Sequence, residues 1–159
     1  MKVDLRVVGI FYNTSVEVPE GSTVKDVLVA AENQVTSGDT FSYVPVLKDG
    51  VESPESFRAF YQSGFSRGEG VKKRNYAAGT YELSENLKGT RESYTVWQYY
   101  IFKPKNELIN VSQRFIPYDD KTEAIVFDAG RVVWRLVTVL KNSEEGLDAP
   151  VRGATTPLA

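Results

Sequence analysis

The 159-residue chain has no cysteine, no histidine and a single methionine. Without cysteine there are no disulfides, no thiolate nucleophile and no thiolate metal ligand. Without histidine, acid–base chemistry near neutral pH falls to carboxylates, lysine or tyrosine with shifted pKa values. Long apolar runs are also missing, and nothing approaches the roughly 18–20 residues that cross a bilayer. Residues 2–10 lack the apolar stretch and small-residue cleavage site of a secretory signal. The net charge is only -2, so no global field gathers DNA or anionic membrane. These absences predict a chain without membrane contact, expected in the cytoplasm, or exported if a leader has been removed. At 42% hydrophobic and 25% charged, the composition suits one core-forming domain carrying an insertion.

The opening is the most legible part. Val3, Leu5 and Val7 alternate with Lys2, Asp4 and Arg6, the period-2 pattern of a strand with one buried face. Asn13 and Thr14 supply turn chemistry before Val16 and Val18 repeat the alternation, so a hairpin is predicted. Pro19 ends that strand by removing a donor. Gly21 suits a positive φ, and Ser22 or Thr23 suits a helix N-cap with Asp26 in the first turn. Val24, Val27, Leu28 and Ala31 share one helical face, which predicts a single main helix over about 23–33 crossing a sheet.

The middle, residues 40–92, reads as an insertion. Residues 40–47 are β-prone, with Pro45 demoting them to an edge strand or marking a bulge, and Lys48-Asp49-Gly50 closes a turn. Ser53 and Pro54 form a good helix start, predicting a short helix over 54–62, with a strand as the alternative because of the aromatics. Residues 63–79 read as a mobile glycine-rich loop, and 81–83 pair briefly. Residues 93–103 form a strand apolar on both faces and therefore central, followed by a turn at 104–106. Residues 114–118 and 122–127 read as short extended runs. Asp128-Ala129-Gly130 reads as a hairpin loop with glycine in the left-handed position, leading into a strand over 131–140. The domain is expected to span 1–141, with 142–159 an extended tail that orders against a partner.

Two constellations are candidate sites. Arg67, Lys72, Lys73 and Arg74, with Tyr76 beside them, form a cationic loop that could grip an anion. The loop lacks both GxGxxG and the P-loop pattern, so nucleic acid is disfavoured. Phe57, Phe60, Tyr61, Trp97, Tyr99 and Trp134 could form a ligand or partner surface. Asp119, Asp120 and Glu123, with Asp128 nearby, are weak metal candidates without the spacing of a calcium loop, and no metal or cofactor is expected.

With the ββα start, the later strand bearing Trp97, Tyr99, Tyr100 and Ile101, and the final strand bearing Trp134 and Arg135, the chain resembles the β-grasp superfamily. In particular it is similar to the C-terminal β-grasp domain of transcobalamin-type corrinoid binders and their bacterial stand-alone relatives. Phe102-Lys103-Pro104 stands where that group has an Asn-Gly turn. The resemblance implies an α+β fold, a β-grasp-like mixed sheet with one crossing helix, and small-molecule binding near Trp97, Tyr99 and Trp134. The chain ends Pro157-Leu158-Ala159, so a sulfur-carrier role needing Gly-Gly is rejected. The leading expectation is a non-enzymatic domain engaging a protein partner or another copy of itself, by strand addition at 40–47. A small-molecule binder is second and a carboxylate- or tyrosine-based enzyme third.

Overall fold

The computed structural model describes residues 1–34, 38–112 and 116–141, together with the backbone of 149–150. The opening forms the predicted hairpin, but its turn is residues 8–11; Asn13 and Thr14 lie within the second strand, opposite Arg6 and Leu5, where ladder pairing overrides their turn preference. Strand β1 (Lys2–Val7) buries Val3, Leu5 and Val7, and pairs antiparallel with β2 (Tyr12–Glu17). Helix α1 (Val24–Glu32) is nucleated by a reciprocal cap. The Thr23 hydroxyl accepts from the Asp26 N–H, and the Asp26 carboxylate accepts from the Thr23 N–H at 2.8 Å. Val24, Val27, Leu28 and Ala31 are all buried, and α1 packs against β1, β2 and the first strand of the insertion. Each such valine or leucine contributes about 1.5–3 kcal/mol on burial, more than propensity alone supplies to a nine-residue helix.

The main sheet has the order β2-β1-β10-β8-β9, where β8 is Ser93–Lys103, β9 Glu107–Val111 and β10 Gly130–Leu140. The central pair, β1 and β10, is parallel, with Leu5 opposite Val132 and Val7 opposite Trp134. All other pairs are antiparallel. Residues 149–150 (β11) pair with Val139 and Leu140 at the end of β10; the rest of the predicted tail, 142–148 and 151–159, lies outside the described residues. The architecture is therefore α+β, mostly sheet, with one α-helix among the described residues. None of the described helices is long and apolar enough to cross a membrane.

The insertion makes its own three-stranded sheet, β3 (Thr40–Lys48), β4 (Val51–Tyr61) and β7 (Gly79–Ser84), in the order β3-β4-β7. It packs on the main sheet through Phe57, whose ring meets Trp97 edge-on at 4.6 Å and Trp134 at 5.4 Å. The edge strand and bulge expected at 40–47 are both present: the register shifts between Val44 and Pro45, where Pro45 faces Pro54. Two residues lacking an N–H cannot sustain a ladder at that point. Asp49 and Gly50 both take positive φ, as a two-residue hairpin turn requires.

Several expectations are corrected. Residues 54–62 are not helical: Phe57, Ala59 and Tyr61 are buried at period 2 while Arg58 and Phe60 are exposed, and β4 has partners on both sides. The Ser-Pro start is as compatible with a bulge as with a helix, so long-range pairing decides. Residues 63–79 are more than a loop, since β5 (Phe65–Arg67) and β6 (Arg74–Tyr76) make a small antiparallel ribbon. Pairing at 81–83 extends across the whole of β7. Strand β9 was not anticipated; its polar Glu107 and Asn110 mask an edge strand. Among the described residues of 114–118 and 122–127 there is no strand. Tyr118 and Asp119 turn, as do residues 121–123, and Ile125 makes only an isolated bridge with Thr23. At 128–130 the left-handed residue is Ala129 (φ 57), not glycine. Gly130 is needed for closeness instead: a Cβ there would lie 2.5 Å from the Phe102 carbonyl oxygen.

Candidate functional site

Strand β8 is paired along its length with β10, but β9 covers only Tyr100 to Lys103. Beyond that, its other edge is closed at two points. The Ser112 N–H donates to the Tyr99 carbonyl (2.9 Å) while the Ser112 hydroxyl accepts from the Tyr99 N–H (2.8 Å), and Asn86 and Thr95 exchange backbone bonds of 3.0 and 3.1 Å. Between these closures sits Trp97. Its N–H faces the Glu85 carboxylate, and no donor among the described residues reaches its carbonyl.

A cleft of about 1050 Å³ opens around this uncovered edge. Trp97, Tyr99 and Trp134 line it from one face of the sheet, and Tyr94, Val96, Val137 and Val139 from the other. The β3–β4 turn (Lys48, Asp49), the start of β4 and residues 116–118 form its rim. Its size and aromatic lining match those of small-molecule sites. The Trp97 indole donates to the Glu55 carbonyl at 3.1 Å. The Trp134 indole N–H is buried and meets no acceptor among the described residues, which costs about 1–3 kcal/mol.

The rim carries a polar cluster. Glu52 accepts from Lys25 Nζ at 2.6 Å and from the Tyr118 hydroxyl at 3.0 Å. The hydrogen bond from Lys25 holds the Glu52 carboxyl below the usual range, and the same bond raises Lys25. Burial raises Tyr118, Tyr99 and Tyr43, so all three phenols stay protonated and act as donors or neutral acceptors. Tyr99 spends its hydroxyl on the Ile116 carbonyl at 3.3 Å. Behind the rim, Glu85 has a side chain only 3% exposed and pairs with Lys48; burial pushes its carboxyl up.

Of the expected aromatic surface, then, the fold brings Trp97, Tyr99 and Trp134 together in the cleft. Phe57 is fully buried behind them, and Phe60 lies exposed on the other side of β4. Tyr61 is buried elsewhere, donating to the Ile10 carbonyl at 2.7 Å, with its pKa pushed by burial up to about 12. The loop cations do not converge. Arg67 donates to the Phe11 and Ser66 carbonyls and stacks on Phe65 at 4.7 Å. Arg74 donates to the carbonyls of Val71 and Lys73, while Lys72 and Lys73 project outward. Tyr76 packs on Phe11 at 4.1 Å.

The acids at 119–123 are turn residues: Asp120 accepts from the N–H groups of Thr122 and Glu123, which lowers its pKa, and Glu123 accepts from Asn110. Among the described residues no group of three metal-ligating side chains forms. Sequence reasoning missed Lys25, Glu52, Tyr118 and Ser112. Glu52 and Tyr118 are 66 positions apart, and no local spacing signals such a pair. No family model matches the chain, and neither a curated protein nor a solved structure shows significant similarity to it.

Proposed function

We propose that this chain is a binding module whose cleft takes a small, largely apolar molecule with a planar part and a hydrogen-bond acceptor. The observation that carries the reading is the stretch of β8 that no described residue covers, beside which Trp97, Tyr99 and Trp134 line one cavity wide enough for such a ligand. Aromatic walls supply area and stacking, and the Trp134 N–H, for which no described residue is an acceptor, supplies a polar anchor that favours an orientation. In the same spirit we assign the main sheet to the β-grasp class. A parallel central pair made from the first strand and the last long one, each flanked by antiparallel neighbours and crossed by one helix, supports that assignment.

Tryptophan fluorescence tests the function, because both tryptophans of the chain line the cleft. Titration with a panel of flat, uncharged heteroaromatic amides is expected to give saturable quenching by at least one member. The Ser53→Phe variant, which narrows the rim, is expected to bind that member at least tenfold more weakly, about 1.4 kcal/mol. A flat response across the panel counts against the reading.

A second reading, association with a protein or another copy of this chain, is favoured by one observation. The outer edge of β3 has no strand partner among the described residues, although the Tyr43 N–H donates to Glu32 of α1 at 3.1 Å, and Leu47 and Val44 on β3 are 73% and 52% exposed. Pro45 and the adjacent bulge shorten the ladder that an added strand could form.

A further inference from the structure

The face of the main sheet opposite α1 carries a concentration of positive charge that the described residues do not neutralise. On β10, residues 131, 133 and 135 point to the same side. Register places Arg6 of β1 beside Val133, Arg131 beside Phe102 and Arg135 beside Gln98. Three arginines thus flank Val133, which is fully buried in a cluster with Tyr100 and Phe102. Arg131 is held over the Phe102 ring at 4.7 Å.

The Nε atoms of Arg131 and Arg135 are both buried and meet no acceptor among the described residues. The ion pairs among those residues join Met1 to Glu17, Lys25 to Glu52, Lys48 to Glu85 and Arg58 to Glu82, and include none of the three. Asp4, the acid opposite Arg131 in the ladder, instead accepts from the Ser15 hydroxyl at 2.5 Å. Burial lowers the Arg6 pKa, with Arg131 and Arg67 adding to the effect, so the cations are close enough to repel one another. Like charges gathered on a sheet face with donors left open are unfavourable unless an anion completes them.

We propose that Arg6, Arg131 and Arg135 form a binding site for a condensed phosphate, a ligand with at least two adjacent phosphoryl groups. Guanidinium forks match phosphoryl oxygens two at a time, and three forks around one valine supply more donors than a single phosphate can use. The cation–π contact on Phe102 holds one fork in position before binding. None of the three arginines lines the cleft, although Gln98, opposite Arg135, does.

Isothermal titration of the full chain with inorganic tripolyphosphate, inorganic phosphate and adenosine triphosphate tests it. Tripolyphosphate is expected to bind one to one, with affinity falling as salt rises. Inorganic phosphate is expected to bind at least tenfold more weakly. Equal affinity for adenosine triphosphate and tripolyphosphate identifies the phosphates alone as the determinant, and tighter nucleotide binding adds a nucleoside contact to the same site. Arg131→Gln and Arg135→Gln are each expected to weaken tripolyphosphate binding at least tenfold, while Arg58→Gln, on the other sheet, leaves it unchanged. The two cleared variants are also expected to melt no lower than the parent, because repulsion is relieved. No saturable heat with tripolyphosphate, or equal binding by the Arg6→Gln/Arg131→Gln/Arg135→Gln triple variant, overturns the proposal.

Discussion

At the scale of single residues, two glycines separate conformational freedom from space. Gly21 has φ 85 with nothing near its missing side chain, whereas Gly130 has ordinary φ but carbonyl oxygens of Phe102 and Phe127 within 2.8 Å of where a Cβ would sit. Gly21→Ala therefore pays only the left-handed penalty of about 1–2 kcal/mol. Gly130→Ala must displace backbone in two elements and is expected to cost about 3 kcal/mol. Urea unfolding of the two variants gives the ranking directly, and a Gly130→Ala loss smaller than that of Gly21→Ala would show that the loop before β10 yields. The rim carboxylate gives a pH prediction. Because Glu52 is held below its ordinary value, its contribution is present at neutral pH and is lost as pH falls from the usual glutamate range through the lowered folded value. Glu85 has the opposite sign: burial raises its folded value, so stability is lost as pH rises through it. Thermal unfolding at stepped acid pH should show a Glu52-dependent decline that Glu52→Gln removes and Glu85→Gln does not.

At the scale of elements, β4 shows why a local reading can go either way. Ser53-Pro54 fits a helix start, Phe57, Phe60 and Tyr61 fit a helical face, and both signals are satisfied without long-range information. The pairing of Phe57 with Tyr43 on one side and Leu83 on the other settles the strand. The consequence is measurable, because a helical face would make Phe57 and Phe60 equivalent. In the strand, Phe57→Ala is expected to cost about 3–5 kcal/mol and Phe60→Ala to stay within about 0.5 kcal/mol. Comparable losses at both positions would contradict the alternation. By contrast α1 was legible to within a residue, since an N-cap candidate at 22–23, an acid in the first turn and an apolar stripe agreed. Strand β9 was not, because an edge strand with exposed Leu108 and Ile109 carries no clear alternation.

At the scale of the whole molecule, the exposed β3 edge and residues 142–159 bear on association. Light scattering coupled to size exclusion, with and without 142–159, is expected to give a concentration-dependent rise in mass that Leu47→Lys abolishes if β3 is the contact. A strict monomer in every case removes the second reading and leaves the cleft. The residues that write the opening, the two-sided apolar strands β8 and β10, and the missing cysteine and histidine could all be read in advance, because strand alternation, helix stripes and side-chain inventory are local properties. The cleft at Trp97, the Glu52–Lys25–Tyr118 cluster and the arginine face around Val133 could not. Each joins side chains brought together only when β10 inserts beside β1 and the insertion folds back over the sheet, and contacts of that range leave no periodic trace along a chain.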